Sequence, residues 1–119
     1  MNIEHTEMSH RGELEFTNGD VYYGDIVDNE PNGKGKMTFA DGDMYEGDFV
    51  NSKIHGKGTY CYSNGDVYRG DWVKEKNYGK GTYHYANGDV YEGDFVNNLF
   101  DGMGKKTYAY GRVKEGKWK

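Results

Sequence analysis

The side chains of this sequence that could do chemistry are four histidines, one cysteine, 20 carboxylates and a heavy load of aromatic rings. Nucleophilic and metal chemistry need such groups gathered at set spacings. His5, His10, His55 and His84 have no spacing at which imidazoles converge on a metal, and Cys61 has no second thiol. Serine is sparse and stands in no nucleophile-elbow context. Gly33-Lys34-Gly35 and its copies are too short to cradle a phosphate and lead into no helix. The expectation is a protein that is not an enzyme, with no catalytic residue, metal or cofactor.

The carboxylates recur in two ladders. Asp20, Asp43, Asp66 and Asp89 each follow a glycine, and Asp25, Asp48, Asp71 and Asp94 lie one residue past another. Calcium would want about six to eight oxygens, and the period is not that of calcium-binding β-rolls. Turn caps and cross-strand pairs with Lys34, Lys57 and Lys80 explain the ladders better. The rings recur at the same step. Tyr22, Tyr45, Tyr68 and Tyr91 form one column. Ile26, Phe49, Trp72, Phe95 and Trp118 form a second, and Phe16, Phe39, Tyr62, Tyr85 and Tyr108 a third.

That step is 23 residues and never slips, the signature of a repeat array. Four full units cover 22–44, 45–67, 68–90 and 91–113. A half unit (12–21) precedes them, a partial unit (114–119) follows, and 1–11 reads as a flexible polar tail. Each unit carries two alternating segments. Asn18-Gly19, Asp41-Gly42, Asn64-Gly65 and Asn87-Gly88 signal two-residue type I′ hairpins between them. The second connection reads as a five-residue variable loop, at 28–32, 51–55, 74–78 and 97–101, the first holding the only proline, Pro31. No segment has a helical period. These elements predict an all-β chain: an antiparallel meander of about ten strands. With period two, Tyr45, Gly47 and Phe49 share one face, and Gly56, Gly58, Tyr60 and Tyr62 join it if the register is regular.

All 19 glycines fall in four columns. One is the hairpin turn; the others include Gly24, Gly47, Gly70 and Gly93, then Gly33, Gly56, Gly79 and Gly102, then Gly35, Gly58, Gly81 and Gly104. Glycine within a strand costs roughly 0.5–1 kcal/mol against alanine. A cost repeated in every unit needs a repeated cause, and room for a ring lying over bare backbone supplies one. The sheet can then bend, and its aromatic face becomes a thin core. An uncovered aromatic stripe on a single layer marks an interaction site.

Bulk composition narrows the partners. A net charge of −5 argues against a general affinity for nucleic acid or anionic lipid. One cysteine fits a reducing compartment, and no apolar run reaches transmembrane length.

Tyr-Glu-Gly-Asp-Phe at 45–49 and 91–95, Tyr-Arg-Gly-Asp-Trp at 68–72, His-Gly-Lys-Gly-Thr-Tyr at 55–60 and Gly-Lys-Gly-Thr-Tyr at 79–83 resemble the MORN (membrane occupation and recognition nexus) repeat. The resemblance covers 12–119. Ile26 stands at an aromatic position, and Met103 and Lys106 replace the usual lysine and tyrosine. It implies an elongated, twisted single-layer sheet of β-hairpin repeats with an aromatic-glycine groove, and a non-catalytic scaffold or adaptor that binds a helix or extended peptide of a protein partner in that groove. The expected groove residues are Tyr22, Tyr45, Phe49, Tyr62, Tyr68, Trp72, Tyr85, Tyr91, Phe95 and Tyr108. It also implies a cytoplasmic setting in a cytoskeletal, ciliary or axonemal assembly, with homodimers or larger complexes open. Peripheral phosphoinositide binding is the alternative, which the acidic balance disfavours. Carbohydrate or choline recognition would need export and a different repeat phrase.

Overall fold

The computed structural model describes residues 9–118; the rest of the expected tail, 1–8, and Lys119 lie outside the described residues. It is one open sheet of ten antiparallel strands in chain order. The strands are β1 (Ser9–Glu15), β2 (Val21–Val27), β3 (Glu30–Thr38), β4 (Met44–Val50), β5 (Lys53–Cys61), β6 (Val67–Val73), β7 (Lys76–His84), β8 (Val90–Val96), β9 (Leu99–Thr107) and β10 (Val113–Trp118). The sheet measures 67 × 27 × 18 Å. Its radius of gyration is 17.3 Å, against roughly 13–14 Å for a compact domain of this length. β1 takes in the last three residues of the expected tail: Ser9, His10 and Arg11 pair with Val27, Ile26 and Asp25. The seven-residue β2 offers a full ladder, and β1 fills it.

Both turn assignments change. The Asn-Gly connections are three-residue loops. Gly19 N–H donates to the Phe16 carbonyl and Phe16 N–H to that of Asp20, with Gly19 at φ 99°. Asn18 is not among the positive-φ residues. A turn with negative φ closed by a left-handed glycine is the bulged hairpin, not type I′. The type I′ turns sit where five-residue loops were expected. Asp28-Asn29, Asn51-Ser52, Lys74-Glu75 and Asn97-Asn98 all have φ between 48° and 70°. The remaining three residues of each supposed loop belong to the next strand. Pro31 is thus a strand residue, buried opposite Ile26; Ile54 lies opposite Phe49 and Asn77 opposite Trp72.

Each nine-residue strand is two residues longer than the strand before it, and a bulge absorbs the excess. Gly47 pairs with Gly58 and Phe49 with Ile54, so Asp48 alone faces His55, Gly56 and Lys57. A bulge orphans a backbone donor and bends the strand. The Asp48 carboxylate accepts that donor, the Lys57 N–H, at 3.1 Å; Asp25 takes the Lys34 N–H and Asp94 the Met103 N–H. A side chain on Gly56 (φ 98°) would stand 2.8 Å from the Asp48 carboxylate oxygen. The column Gly33, Gly56, Gly79 and Gly102 therefore makes room for a carboxylate and a bulge, not for a ring.

The same carboxylates zip the polar face. Lys34 pairs with Asp48, Lys57 with Asp71 at 2.6 Å, Lys80 with Asp94, and Arg11 with Asp25 at 2.5 Å. The Lys34 N–H holds the Asp25 carboxyl low, against a smaller push upward from burial and with help from Arg11. Burial pushes Asp48 up, but Lys34 and Lys57 outweigh it and leave the carboxyl below its usual range. Lys80 first, then the Met103 N–H, holds Asp94 low. A folded pKa below the unfolded value means stability that is present above the unfolded pKa, about 3.9, and lost as pH falls through the folded value. The urea midpoint is expected to be level between about pH 7 and 5 and to drop below about pH 4. A midpoint flat through that acid range would remove these three carboxylates from the stability of the sheet.

Candidate functional site

One row of glycines crosses the sheet. Gly12, Gly24, Gly35, Gly47, Gly58, Gly70, Gly81, Gly93, Gly104 and Gly116 pair in turn. On the face expected to be aromatic, the ring of Tyr45 lies against Gly58, and Tyr22, Tyr68 and Tyr91 lie likewise on Gly35, Gly81 and Gly104. A ring at van der Waals distance from peptide backbone leaves no room for a Cβ between. Each phenol then finds a partner: the hydroxyls of Tyr22, Tyr45, Tyr68 and Tyr91 donate to the carbonyls of Asp25, Asp48, Asp71 and Asp94 at 2.6–3.1 Å. Burial, then the Asp25 charge, pushes the Tyr22 phenol up to about 12.

The second column wedges between these tyrosines edge-on. Phe49 meets Tyr22 at 5.0 Å, Trp72 meets Tyr45 at 5.6 Å, Phe95 meets Tyr68 at 5.0 Å and Trp118 meets Tyr91 at 5.4 Å, with interplanar angles of 84–86°. T-shaped pairs are the favoured geometry of the aromatic quadrupole. Each wedge belongs to the unit after its tyrosine, so the contact that fills the core also joins neighbouring units.

This packing divides the ten expected groove residues. Tyr22, Tyr45, Phe49, Tyr68, Trp72, Tyr91 and Phe95 are exposed by only 0–4%. They are the core, with almost no surface to offer a partner. The expectation that they form the groove surface is corrected, because their own neighbours cover them. Tyr62, Tyr85 and Tyr108 remain half-buried.

Around those three, the structure assembles a stripe. Phe39 stacks on Tyr60 at 5.7 Å, Tyr60 meets Tyr62 at 4.5 Å, Tyr62 meets Tyr83 at 5.9 Å and Tyr83 meets Tyr85 at 4.8 Å. Lys106 continues it in place of a tyrosine, its ammonium 4.7 Å from the Tyr85 ring centre and 4.9 Å from that of Tyr108. Cations favour the ring face, and Asp89 lies 4.0 Å from the same ammonium. Tyr60, Tyr83 and Lys106 were absent from the expected groove. Their signal was in the sequence: each stands two residues before the third column, on the same face.

Turn carboxylates fix the stripe. Tyr60 donates to Asp43 and Tyr83 to Asp66, each at 2.7 Å. Burial, then these bonds to anionic partners, pushes both phenols above their ordinary range. The other oxygen of each carboxylate accepts a backbone N–H of the next turn: Asp20 from Ala40, Asp43 from Ser63, Asp66 from Ala86 and Asp89 from Ala109. Asn18, Asp41, Asn64 and Asn87 cap their own turns by accepting the N–H two residues on. One aspartate thus ties a ring to its neighbour's turn.

The result is a long half-exposed band of rings along one face of the sheet. The family model of the MORN repeat, a repeat found in protein–protein and membrane–lipid interactions, matches the chain over 22–44, 45–67, 68–90 and 91–111. No curated protein matches it. Four matches in tandem span most of the sequence and coincide with the hairpins that carry the glycine row and its rings, so the chain belongs to the MORN-repeat family.

Proposed function

We propose that this protein is a non-catalytic scaffold, working without cofactor or metal, which binds a helix or extended peptide of a protein partner along the stripe Phe39, Tyr60, Tyr62, Tyr83, Tyr85 and Tyr108. The observation that carries this reading is the partial exposure of those rings above a core already closed. Among the described residues no helix or second sheet lies over them, and a contiguous exposed apolar band is the usual mark of a binding surface. Tyrosines held in place by Asp43 and Asp66 lose little further freedom on binding, which favours affinity. The setting we assign is cytoplasmic, within a cytoskeletal or axonemal assembly, as the family suggests. Against the phosphoinositide alternative stands the polar face, where Lys34, Lys57 and Lys80 are each neutralised by an aspartate.

The test begins with selection of helical and extended peptides on the full chain, followed by calorimetry. Replacing both Tyr62 and Tyr85 by alanine should weaken a selected peptide by roughly 30-fold or more, the loss of about 2 kcal/mol typical of an aromatic hot spot. Tyr23→Ala, on the polar face and 58% exposed, should leave affinity unchanged. Equal affinity in the double variant, with its circular dichroism intact, removes the stripe as the site. Salt-sensitive co-flotation with phosphoinositide vesicles, without peptide binding, would favour the lipid reading.

A further inference from the structure

The geometry points to β1 as a homodimerisation edge that pairs antiparallel with β1 of a second copy about a two-fold axis through Gly12. Among the described residues nothing pairs with the outer side of β1. Phe16 turns both its N–H and its C=O toward the β1–β2 turn. Backbone direction alternates along a strand, so Ser9, Arg11, Glu13 and Glu15 present their donors and acceptors outward.

That edge is straight, unlike the corresponding edge inside the sheet. In β3, β5, β7 and β9 the second residue before the ring-covered glycine is Gly33, Gly56, Gly79 or Gly102, at φ between 82° and 114°, and there the strand bulges. The same position in β1 is His10, which is not among the positive-φ residues. A regular seven-residue edge results, and regular unpaired edges are templates for another strand.

The side chains select which strand. Two-fold pairing about Gly12 sets Arg11 opposite Glu13 of the second copy, and Glu13 opposite its Arg11. His10 then faces Leu14, Ser9 faces Glu15, and no like charges are opposed. Opposite charges directly across strands stabilise a pair, and like charges destabilise it. Arg11 already holds Asp25 at 2.5 Å, and a guanidinium has donors enough to bridge a second carboxylate. Gly12 against Gly12 also prolongs the glycine row, in which every neighbouring pair is Gly to Gly. The axis is normal to the sheet, so both ring stripes emerge on the same side.

The alternatives fit worse. Joining β10 of one copy to β1 of the next, in the register that pairs Glu46 with Thr59, sets Glu115 against Glu13. Lys117 then stands beside Arg11, where inner units hold an aspartate. Pairing β10 with β10 meets Gly116 at φ 141°, close to the 155–158° that faces a bulge in β2, β4, β6 and β8, so a straight partner does not match it.

Sedimentation of the full chain over a concentration series, with light scattering, tests this independently of the ring stripe. The wild type is expected to reach twice the monomer mass. Glu13→Lys places a cation opposite Arg11 and should return the monomer. Glu13→Pro removes an outward N–H and leaves the β1–β2 bonds in place, so it should do the same with an unchanged circular dichroism spectrum. Lys117→Glu should leave the dimer intact. A wild type that stays monomeric throughout overturns the inference. So does a dimer that survives both Glu13 variants, or one that Lys117→Glu abolishes.

Discussion

Gly58→Ala is expected to destabilise the protein by about 3–5 kcal/mol, the scale of losing a buried aromatic side chain. The φ of Gly58 is not in the left-handed region, so alanine would suit its backbone in isolation. The obstacle is Tyr45. A Cβ on Gly58 would fall inside the van der Waals envelope of the Tyr45 hydroxyl and two of its ring carbons. Tyr45 has no room to retreat: it is fully buried, its ring is flanked by Phe49 at 5.2 Å and Trp72 at 5.6 Å, and its hydroxyl donates to the Asp48 carbonyl. Either the ring leaves the core or two strands part. A domain of this size has about 5–15 kcal/mol in all, so the change removes a large share. Gly111→Ala is the control. Its φ of 100° is unfavourable for alanine but nothing lies within 4 Å, so only the backbone term of about 1–2 kcal/mol applies. Urea midpoints of the two variants measure the difference. Equal losses would mean that conformation, not the covering ring, explains the glycine row.

Why the architecture was legible while the site was misplaced follows from what a period can encode. A constant step of 23 fixes strand count and the length of each unit but not how the unit divides between strand and turn, and period two assigns faces. Depth does not follow the period of two. Tyr45 and Tyr60 stand on one face, directly opposite each other across β4 and β5, yet one is fully buried and the other half-exposed. The difference lies in which ring reaches the glycine row, and so in the bulge that sets Phe49 against Ile54. Two extra residues in a strand were indistinguishable in sequence from a longer loop. Pro31, Ile54, Asn77 and Phe100 form a column of such different chemistry that no pattern marks it.

Turn chemistry misled for a related reason. Lys74-Glu75 carries none of the residues that favour positive φ, yet both adopt it at 49° and 69°. Local preference would place them elsewhere, at about 1–2 kcal/mol per residue. The register set by Gly70 against Gly81 and Trp72 against Asn77 leaves two residues to close the hairpin, and tertiary packing outweighs the local cost. Asn64-Gly65, by contrast, is closed by bonds between Tyr62 and its neighbours over three residues, so the strongest hairpin signal was read with the wrong loop length.

Trp72→Ala is expected to do more than lower stability: it should split one unfolding transition into two. Each strand contacts chiefly the strands before and after it, so cooperativity passes along the array from unit to unit. Trp72 is the wedge at the centre. Its ring meets Tyr68 of its own unit at 5.2 Å, and Tyr45 and Tyr60 of the unit before at 5.6 and 5.7 Å. Its indole N–H donates to the Gly58 carbonyl at 3.3 Å. Truncation to alanine should cost about 3–5 kcal/mol. It removes the same contacts that couple the β1–β5 block to the β6–β10 block. The expected urea curve is broad or biphasic, with an apparent m-value well below that of the wild type. Hydrogen exchange should report different opening energies for Tyr45 and Tyr91, where the wild type has one. Trp118→Ala removes a wedge of the same kind at the end of the array, where its ring meets Tyr91 and Phe100 and its indole N–H donates to the Gly104 carbonyl. It should lower the midpoint and keep a single transition. A sharp, two-state Trp72→Ala curve with the wild-type m-value would show that the backbone ladder alone carries cooperativity, and that the rings only add stability to it.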